Sequence, residues 1–195
     1  MKRVVCLFPG IGYTCDKPLL YYSWKLLKVM GWEVVPVSYT GFPSSVKGNS
    51  EKMRQAAQMA LEQAEEILKG IDWSEYLDIL LIGKSIGTVV CAAYARRHRI
   101  PCRQILFTPI EETFQFVDHS AIVFHGTADP WADTKVIEQN CKQKGIPLYE
   151  TENANHSLET GDVDFDIQTM RDTMRIVKAY AERYDAAAAA KEKVE

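Results

Sequence analysis

Short apolar runs alternate along this chain with longer segments in which apolar residues recur at helical spacing. The short runs are rich in Val, Ile and Leu and show little alternation of apolar with polar side chains. That pattern is typical of parallel strands that are covered on both faces. We therefore predict about six strands, over residues 3–8, 33–39, 77–82, 104–107, 121–125 and 148–151.

The longer segments predict amphipathic helices between these strands. Their apolar stripes comprise Leu20, Trp24 and Leu27; Met53, Ala57, Ala60, Ala64 and Ile67; Ile86, Val89, Val90 and Ala93; Val136, Ile137 and Cys141; and Ile167, Met170, Met174 and Val177. Strand–helix alternation of this kind predicts an α/β fold with a doubly wound, mostly parallel sheet and helices on both faces. In such a sheet, functional groups gather at the carboxyl ends of the strands.

Composition and charge narrow the class of protein. The chain has 195 residues, of which 47% are hydrophobic and 25% charged, as in an ordinary globular domain. We assign residues 1–185 to a single domain and residues 186–195 to an Ala-rich, charged tail. The formal net charge of −3 indicates neither a nucleic-acid partner nor an anionic membrane surface. No apolar run approaches the length of a membrane span, so we expect no membrane association.

The five cysteines are scattered and show no metal-ligand spacing. Cys6, Cys15, Cys91, Cys102 and Cys141 form no Cys-x-x-Cys pair, and none is spaced for metal binding with a histidine. An odd number of cysteines without a signal peptide is typical of a reducing compartment. We therefore expect a cytoplasmic protein without a metal site.

Two nucleotide-binding motifs are present only as fragments. Residues 83–85, Gly-Lys-Ser, resemble the end of a P-loop, but Asp78 stands where the loop needs its first glycine. Residues 10–12, Gly-Ile-Gly, resemble the start of a dinucleotide fingerprint, but Cys15 stands where its third glycine belongs. Both nucleotide interpretations are therefore weak.

A serine between two glycines follows the third predicted strand. Residues 83–87 read Gly-Lys-Ser-Ile-Gly, and these glycines allow a tight strand-to-helix turn that projects the Ser85 hydroxyl at a helix N-terminus. Such a pentapeptide arises by chance in roughly one chain in fifteen of this length. A nucleophilic role for Ser85 therefore depends on a base and an acid elsewhere in the chain.

Among the four histidines, His156 is placed best to act as a base. It follows the last predicted strand, in a loop at the carboxyl edge of the sheet. His98 ends the helix after the serine, His119 precedes a strand, and His125 ends one. The interpretation of His156 as a structural loop residue stays open beside the catalytic one.

The acid is predicted at the same edge. Asp129 follows a strand end, in a turn made sharp by a glycine and a proline, and Asp133 is a rival four residues further on. We favour Asp129 because it lies closer to the end of the strand. The resulting order of Ser85, Asp129 and His156 is the nucleophile–acid–base order of one particular fold.

With these residues in this order, the chain resembles the α/β-hydrolase family over nearly all of residues 3–184. The resemblance implies a minimal α/β-hydrolase fold. It also implies a nucleophile at Ser85, an acid at Asp129 and a general base at His156. The short segment 108–120, where many members insert a helical lid, implies a small, lidless, esterase-like serine hydrolase.

Residues 8–13 resemble the loop of that family that contributes to the oxyanion hole. The resemblance implies one backbone donor at Ile86, directly after the serine, and a second at Ile11 or Gly12. Donors of this kind stabilise the developing oxyanion by about 3–4 kcal/mol each.

Several side chains near predicted strand ends are candidates for a substrate pocket. Tyr13, Phe42, Ile110 and Trp131 follow strand ends, although ordinary packing explains each of them equally well. Lys84, next to the serine, is expected to face away from the substrate and to be solvated.

The leading hypothesis is therefore a serine hydrolase that acts on a small-molecule ester, thioester or amide without any cofactor. The alternative is a hydrolase-like scaffold that binds a ligand or partner without turnover, because fold alone does not imply function.

Overall fold

The computed structural model describes residues 2–44, 46 and 48–191. Within them the chain forms one six-stranded sheet in which every strand pair is parallel. The strands are β1 (Lys2–Phe8), β2 (Glu33–Pro36), β3 (Tyr76–Lys84), β4 (Arg103–Phe107), β5 (Ala121–Gly126) and β6 (Leu148–Thr151). Their order across the sheet is β2-β1-β3-β4-β5-β6. The prediction of about six mostly parallel strands is confirmed.

In the described part of the chain, four helices connect successive strands and a fifth follows β6: α1 (Pro18–Val29), α2 (Ser50–Leu68), α3 (Ile86–His98), α4 (Thr134–Lys144) and, after β6, α5 (Val163–Lys191). Residues 186–191 of the predicted tail continue the backbone of α5, and residues 192–195 lie outside the described residues. Among the described helices, none combines the length and the apolar character that a bilayer crossing requires.

The helices cover both faces of the sheet because successive strand residues point to opposite sides. On β3, Ile79 and Leu81 pack in one cluster with residues of α2, α3 and α4. Leu80 and Ile82 pack in the other with residues of α1 and α5. This double burial is the reason that the strands are uniformly apolar rather than alternating.

The edge strand β2 ends at Pro36, three residues before the predicted end. Proline has no N–H to donate, and an edge strand tolerates it because one side of its backbone has no strand partner. One further bond, from the N–H of Val37 to the carbonyl of Leu7 at 2.9 Å, follows it. Residues 38–43 are consequently free of the sheet and lie at its carboxyl edge.

Two of the predicted apolar stripes, on α2 and α5, each include a residue that is exposed in the structure. Ile67 is 41% exposed and Ile167 is 63% exposed. On α2 the buried row runs through Ala56, Ala60 and Ala64 to Leu68, one residue past Ile67. At the start of α5 the apolar side chains are exposed, and burial in the core begins only at Met170.

Candidate active site

Ser85 lies between β3 and α3 in a backbone conformation that residues other than glycine rarely adopt. β3 continues two residues past its predicted end to Lys84, and α3 begins at Ile86. Ser85 between them has φ 56° and ψ −126°. Such strain persists only where the surroundings fix the backbone, and here the Ser85 N–H donates to the carbonyl of Phe107 at 3.0 Å. The hydroxyl is thereby placed at the carboxyl edge of the sheet and at a helix N-terminus.

The two glycines around Ser85 allow backbone segments to approach closely. A Cβ on Gly83 would stand 2.6 Å from the Cα of Thr88, in the first turn of α3. A Cβ on Gly87 would overlap the carbonyl oxygen of Phe8, at the end of β1. The Gly-x-Ser-x-Gly pattern is therefore the condition for α3 to start directly against the sheet.

The structure brings Ser85, Asp129 and His156 together. Nε2 of His156 lies 2.8 Å from Oγ of Ser85, and Nδ1 lies 2.7 Å from Oδ2 of Asp129. Because a carboxylate can only accept, Nδ1 carries the proton and Nε2 presents its lone pair to the hydroxyl. This tautomer is the one that can take a proton from Ser85.

Asp129 is held by the turn that follows β5. Its carboxyl group is fully shielded from solvent, and its second oxygen, Oδ1, accepts from the N–H of Trp131 at 2.8 Å. The turn packs on the loop after β6. A Cβ on Gly126 would overlap the carbonyl oxygen of Ala154, and the N–H of Ala128 donates to that oxygen at 3.0 Å. This packing fixes the separation between the acid and the imidazole.

The rival acid Asp133 has a different place. It is the N-cap of α4, and its side chain accepts from the N–H of Lys135 at 2.8 Å. Its carboxylate therefore stabilises the start of that helix, whereas Asp129 contacts the imidazole.

The other histidines lie apart from Ser85. Nε2 of His98 is 2.6 Å from a carboxylate oxygen of Glu65, between α3 and α2. His119 is exposed in the loop before β5. His125 is fully buried, with Nε2 2.9 Å from the hydroxyl of Thr134, and burial lowers its pKa. Across the described part of the chain, no three His, Cys, Asp or Glu side chains are grouped to hold a metal ion.

Residues 10–13 form a turn beside Ser85, called the 10–13 turn below. Gly10 and Tyr13 are paired by two backbone hydrogen bonds of 3.0 and 3.3 Å, which leaves Ile11 and Gly12 at the tip. A Cβ on Gly10 would stand 3.1 Å from the Cβ of Ser85. The predicted donors at the tip therefore belong to the segment next to the serine.

The other predicted donor is the N–H of Ile86, the first residue of α3. A helix leaves its first four N–H groups without an intrahelical partner. Ile86 thus offers its N–H directly after Ser85, where the partial positive charge of the helix N-terminus is greatest.

Lys84 is buried, so the expectation that it is solvated was wrong. The residue is 3% exposed, and Nζ lies 4.7 Å from the centroid of the Tyr13 ring. Burial lowers the pKa of Lys84 to about 7. The sequence contained a signal for this placement. Side chains at every second position of a strand point to the same face, so Lys84 shares a face of β3 with the buried residues Leu80 and Ile82.

Thr88 was missed by the sequence analysis. Its hydroxyl donates to the carbonyl of Ser85 at 2.6 Å and lies 2.6 Å from the hydroxyl of Thr113. These contacts tie the first turn of α3 to the segment between β4 and β5. A threonine three residues after the serine, in the same helical turn, was the available signal.

That segment, residues 108–120, contains only a short 3₁₀ turn at Glu111–Gln115. Phe114 and Val117 are buried in the core with α3. This fully described segment therefore packs into the domain and carries no helical lid.

The four predicted pocket residues occupy four different environments. Phe42 helps to line a cleft of about 440 Å³ beside the 10–13 turn, where it contacts Tyr39 edge-to-face with ring centroids 5.8 Å apart. Ile110 lines a separate groove of about 230 Å³ between α2 and α3. Trp131 stacks on the imidazole of His156, with centroids 5.3 Å apart and an interplanar angle of 22°.

Tyr13, the fourth, is buried beneath the 10–13 turn. Its hydroxyl accepts from the N–H of Leu19 in the first turn of α1 at 3.0 Å. Burial raises the pKa of Tyr13 to about 12. Its ring therefore supports the turn from the side of α1.

The chain superposes on several solved α/β hydrolases. An alpha-beta serine hydrolase homologue from Coxiella burnetii has a TM-score of 0.62 and 18% identity, over 88% of this chain and 84% of its own. A serine hydrolase without a lid from Xanthomonas campestris has a TM-score of 0.56 and 14% identity, over 89% and 81%. A protein from Butyrivibrio proteoclasticus with bound ferulic acid has a TM-score of 0.63 and 13% identity, over 91% and 90%.

No protein-family model matches the chain, and no curated protein matches it in sequence. At these low identities the likeness to the solved structures establishes the fold alone. The chain has a minimal α/β-hydrolase fold, as its sequence predicted.

Proposed function

We propose that this chain, with its α/β-hydrolase fold, is a serine hydrolase that cleaves an acyl bond through an acyl-enzyme on Ser85. The observation that carries the proposal is the pair of short contacts made by His156, 2.8 Å to Ser85 and 2.7 Å to Asp129. Acyl transfer by serine requires a nucleophile, a base and an orienting acid within hydrogen-bond reach of one another.

In the first half of the reaction, Oγ of Ser85 attacks the acyl carbon and its proton moves to Nε2 of His156. The carbonyl oxygen becomes an oxyanion, which accepts from the N–H of Ile86 and from an N–H at the tip of the 10–13 turn. Asp129 stabilises the imidazolium that forms. When the tetrahedral intermediate collapses, Nε2 gives its proton to the leaving alcohol, thiol or amine, and the acyl group stays on Ser85.

In the second half, a water molecule attacks the acyl carbon while Nε2 of His156 accepts its proton. The second tetrahedral intermediate collapses to a carboxylic acid, and the proton on Nε2 returns to Oγ of Ser85. Trp131, stacked on the imidazole, keeps the ring in the plane in which both nitrogens reach their partners. Apart from this water, the chain itself supplies every group that the proposed cycle uses.

The cleft beside the 10–13 turn is the proposed site for the substrate. It has about 440 Å³, which suits a small molecule. Tyr39 and Phe42 give it an aromatic wall. Because a protein of the same fold holds ferulic acid, an aromatic acid, aryl esters belong in the first substrate panel beside aliphatic ones.

A fluorophosphonate probe tests the proposal directly. An activated serine forms an Oγ–P bond to such a probe and expels fluoride, so we expect labelling of the peptide that contains Ser85. Ser85→Ala abolishes both this labelling and the hydrolysis of p-nitrophenyl esters of graded acyl length. The matched control is Ser74→Ala, since Ser74 lies in the turn before β3, at the opposite end of that strand.

Equal labelling of wild type and Ser85→Ala would contradict the assignment of the nucleophile. Folded wild-type protein that neither labels nor hydrolyses any ester would favour the alternative, a hydrolase-like scaffold that binds a ligand without turnover. Binding of a substrate analogue, measured calorimetrically on the same preparation, distinguishes that scaffold from an inactive preparation.

A further inference from the structure

Lys84 is a buried cation that the proposed reaction cycle does not use. It precedes Ser85 in the chain, ends β3 and is 3% exposed. Within residues 2–44, 46 and 48–191, no hydrogen bond or salt bridge to its Nζ is found. Burial of an ammonium without an ion pair is costly, so its position beside the nucleophile calls for a functional reason.

The side chain of Lys84 runs along the 10–13 turn. A Cβ on Gly10 would stand 3.4 Å from Cδ of Lys84, so the methylene stem lies against the start of that turn. Nζ is 4.7 Å from the centroid of the Tyr13 ring, within the range of a cation–π contact. One side chain therefore touches both ends of the turn.

Tyr13 transmits this contact to the backbone. Its backbone pairs with that of Gly10, and its hydroxyl accepts from the N–H of Leu19 in α1. The ring is thus held between Lys84 and the start of α1. A shift of the ring displaces the peptide groups of Ile11 and Gly12 that lie between the two paired residues.

Two carboxylates influence the charge of Lys84 from neighbouring elements. They are Asp129, on the turn after β5, and Glu159, on the loop after β6. Tyr13, after β1, contributes a phenol whose pKa is raised to about 12, and the strand partner Phe107 of β4 carries no charge. Desolvation outweighs both carboxylates and lowers the pKa of Lys84 to about 7.

We propose that Lys84 is a positioning residue for the oxyanion hole: its ammonium holds the Tyr13 ring and so keeps the tip of the 10–13 turn aimed at the substrate oxygen beside Ser85. This inference rests on the proposed function. Lys84 acts through Tyr13 and does not itself contact the substrate.

The contact depends on charge, so it depends on pH. Lys84 is charged below its pKa of about 7 and neutral above it. A neutral amine loses the cation–π attraction. The acyl-transfer rate of wild type therefore declines to a lower plateau as Lys84 loses its proton.

The test compares kcat of wild type and Lys84→Met on a p-nitrophenyl ester from pH 6 to pH 9. Met has a similar unbranched stem and no charge. We expect wild type to exceed Lys84→Met about fivefold in kcat at pH 6, with similar KM, and the ratio to approach one at pH 9. Lys84→Arg, which stays charged throughout, is expected to keep the acid-side rate and to lose the decline.

Tyr13→Leu removes the aromatic partner of the same cation–π contact. It therefore tests the proposal even if Lys84→Met fails to fold. It is expected to lower kcat to the same plateau, and adding Lys84→Met to it costs nothing further. Lys25→Met is the matched control, because exposed Lys25 lies 4.4 Å from the Trp24 ring, another cation–π contact, on α1.

A ratio of wild type to Lys84→Met that is the same at every pH would show a purely structural role and overturn the inference. Additive losses in the double variant would overturn it as well. Fluorophosphonate labelling of wild type separates the two hypotheses. Without labelling at Ser85, the proposed function fails. With labelling and a constant ratio, only the role of Lys84 fails.

Discussion

The carbonyl oxygen of Phe8 occupies the space into which a Cβ on Gly87 would project. Phe8 ends β1 and Gly87 is the second residue of α3, so the helix starts in contact with the neighbouring strand. Pro9 adds a second backbone oxygen, 2.5 Å from the same position. Because both obstacles are backbone atoms, neither can rotate away. The position of the Ser85 hydroxyl therefore depends on glycine at position 87, because a Cβ there would overlap the carbonyl oxygen of Phe8.

Gly87→Ala is expected to destabilise the fold by at least about 3 kcal/mol, because α3 must move away from β1 to admit the methyl group. The free energy of unfolding is measured by urea denaturation. Gly70→Ala is the control. A Cβ on Gly70 meets nothing within 4 Å, so we expect a change within about 1 kcal/mol. Equal losses in both variants would contradict the role assigned to the contact with Phe8.

Asp129→Asn is expected to lower kcat about 10³- to 10⁴-fold and to leave KM nearly unchanged. The amide can donate to Nδ1 of His156, which favours the tautomer with the proton on Nε2. That nitrogen then has no lone pair for Ser85. The hydrolysis of a p-nitrophenyl ester, followed by absorbance, measures the effect.

Asp133→Asn is the matched comparison for that variant. Asn caps a helix about as well as Asp does, so α4 and its bond to the N–H of Lys135 are retained. We expect near-wild-type kcat. A loss equal to that of Asp129→Asn would show that the acid had been assigned to the wrong carboxylate.

The sheet and the position of Ser85 were predictable because their determinants are local. Uniformly apolar runs identified the strands, and one serine with two flanking glycines identified the turn after β3. The end of β2 was predicted wrongly because the apolar run continues beyond Pro36 and does not show where pairing with β1 ends. The row on α2 was shifted by one residue, since Ile67 and Leu68 are equally apolar and only packing selects between them.

The surroundings of Ser85 were less predictable because they depend on how loops fold back. Nothing in the periodicity of the chain shows that Gly10 and Tyr13 pair, or that the Tyr13 ring receives the ammonium of Lys84. The charge of a lysine favours exposure to solvent, whereas the position of Lys84 on the same face of β3 as Leu80 and Ile82 favours burial. The expectation of a solvated Lys84 followed from its charge alone.

His125 makes the stability depend on pH. Burial holds its pKa below the usual 6.5, so the unfolded chain binds a proton more readily than the native state. The contribution of neutral His125 to stability is therefore complete above pH 6.5 and is lost as the pH is lowered. We expect wild type to lose about 1 kcal/mol more free energy of unfolding than His125→Gln between pH 7 and pH 5. The exposed His119, changed to Gln, is the control, and equal slopes for wild type and His125→Gln would refute the assignment.

Lys84→Met is expected to stabilise the protein at the pH at which it impairs catalysis. The pKa of Lys84 is about 7 in the native state against 10.5 ordinarily, so protonation favours the unfolded chain. The destabilisation is absent above pH 10.5, grows as the pH falls and is complete below pH 7. At pH 6 we expect the free energy of unfolding to rise by on the order of 2–4 kcal/mol in Lys84→Met.

The gain in free energy of unfolding from Lys84→Met shrinks as the pH rises toward 10. Lys25→Met, at an exposed position, is expected to change the free energy of unfolding little at any pH. Urea denaturation at pH 6, 8 and 10 measures all three proteins. A variant less stable than wild type at pH 6 would show that the ammonium contributes more through the Tyr13 ring than its burial costs. A more stable and slower variant would mean that the fold retains a destabilising charge at this position because catalysis requires it.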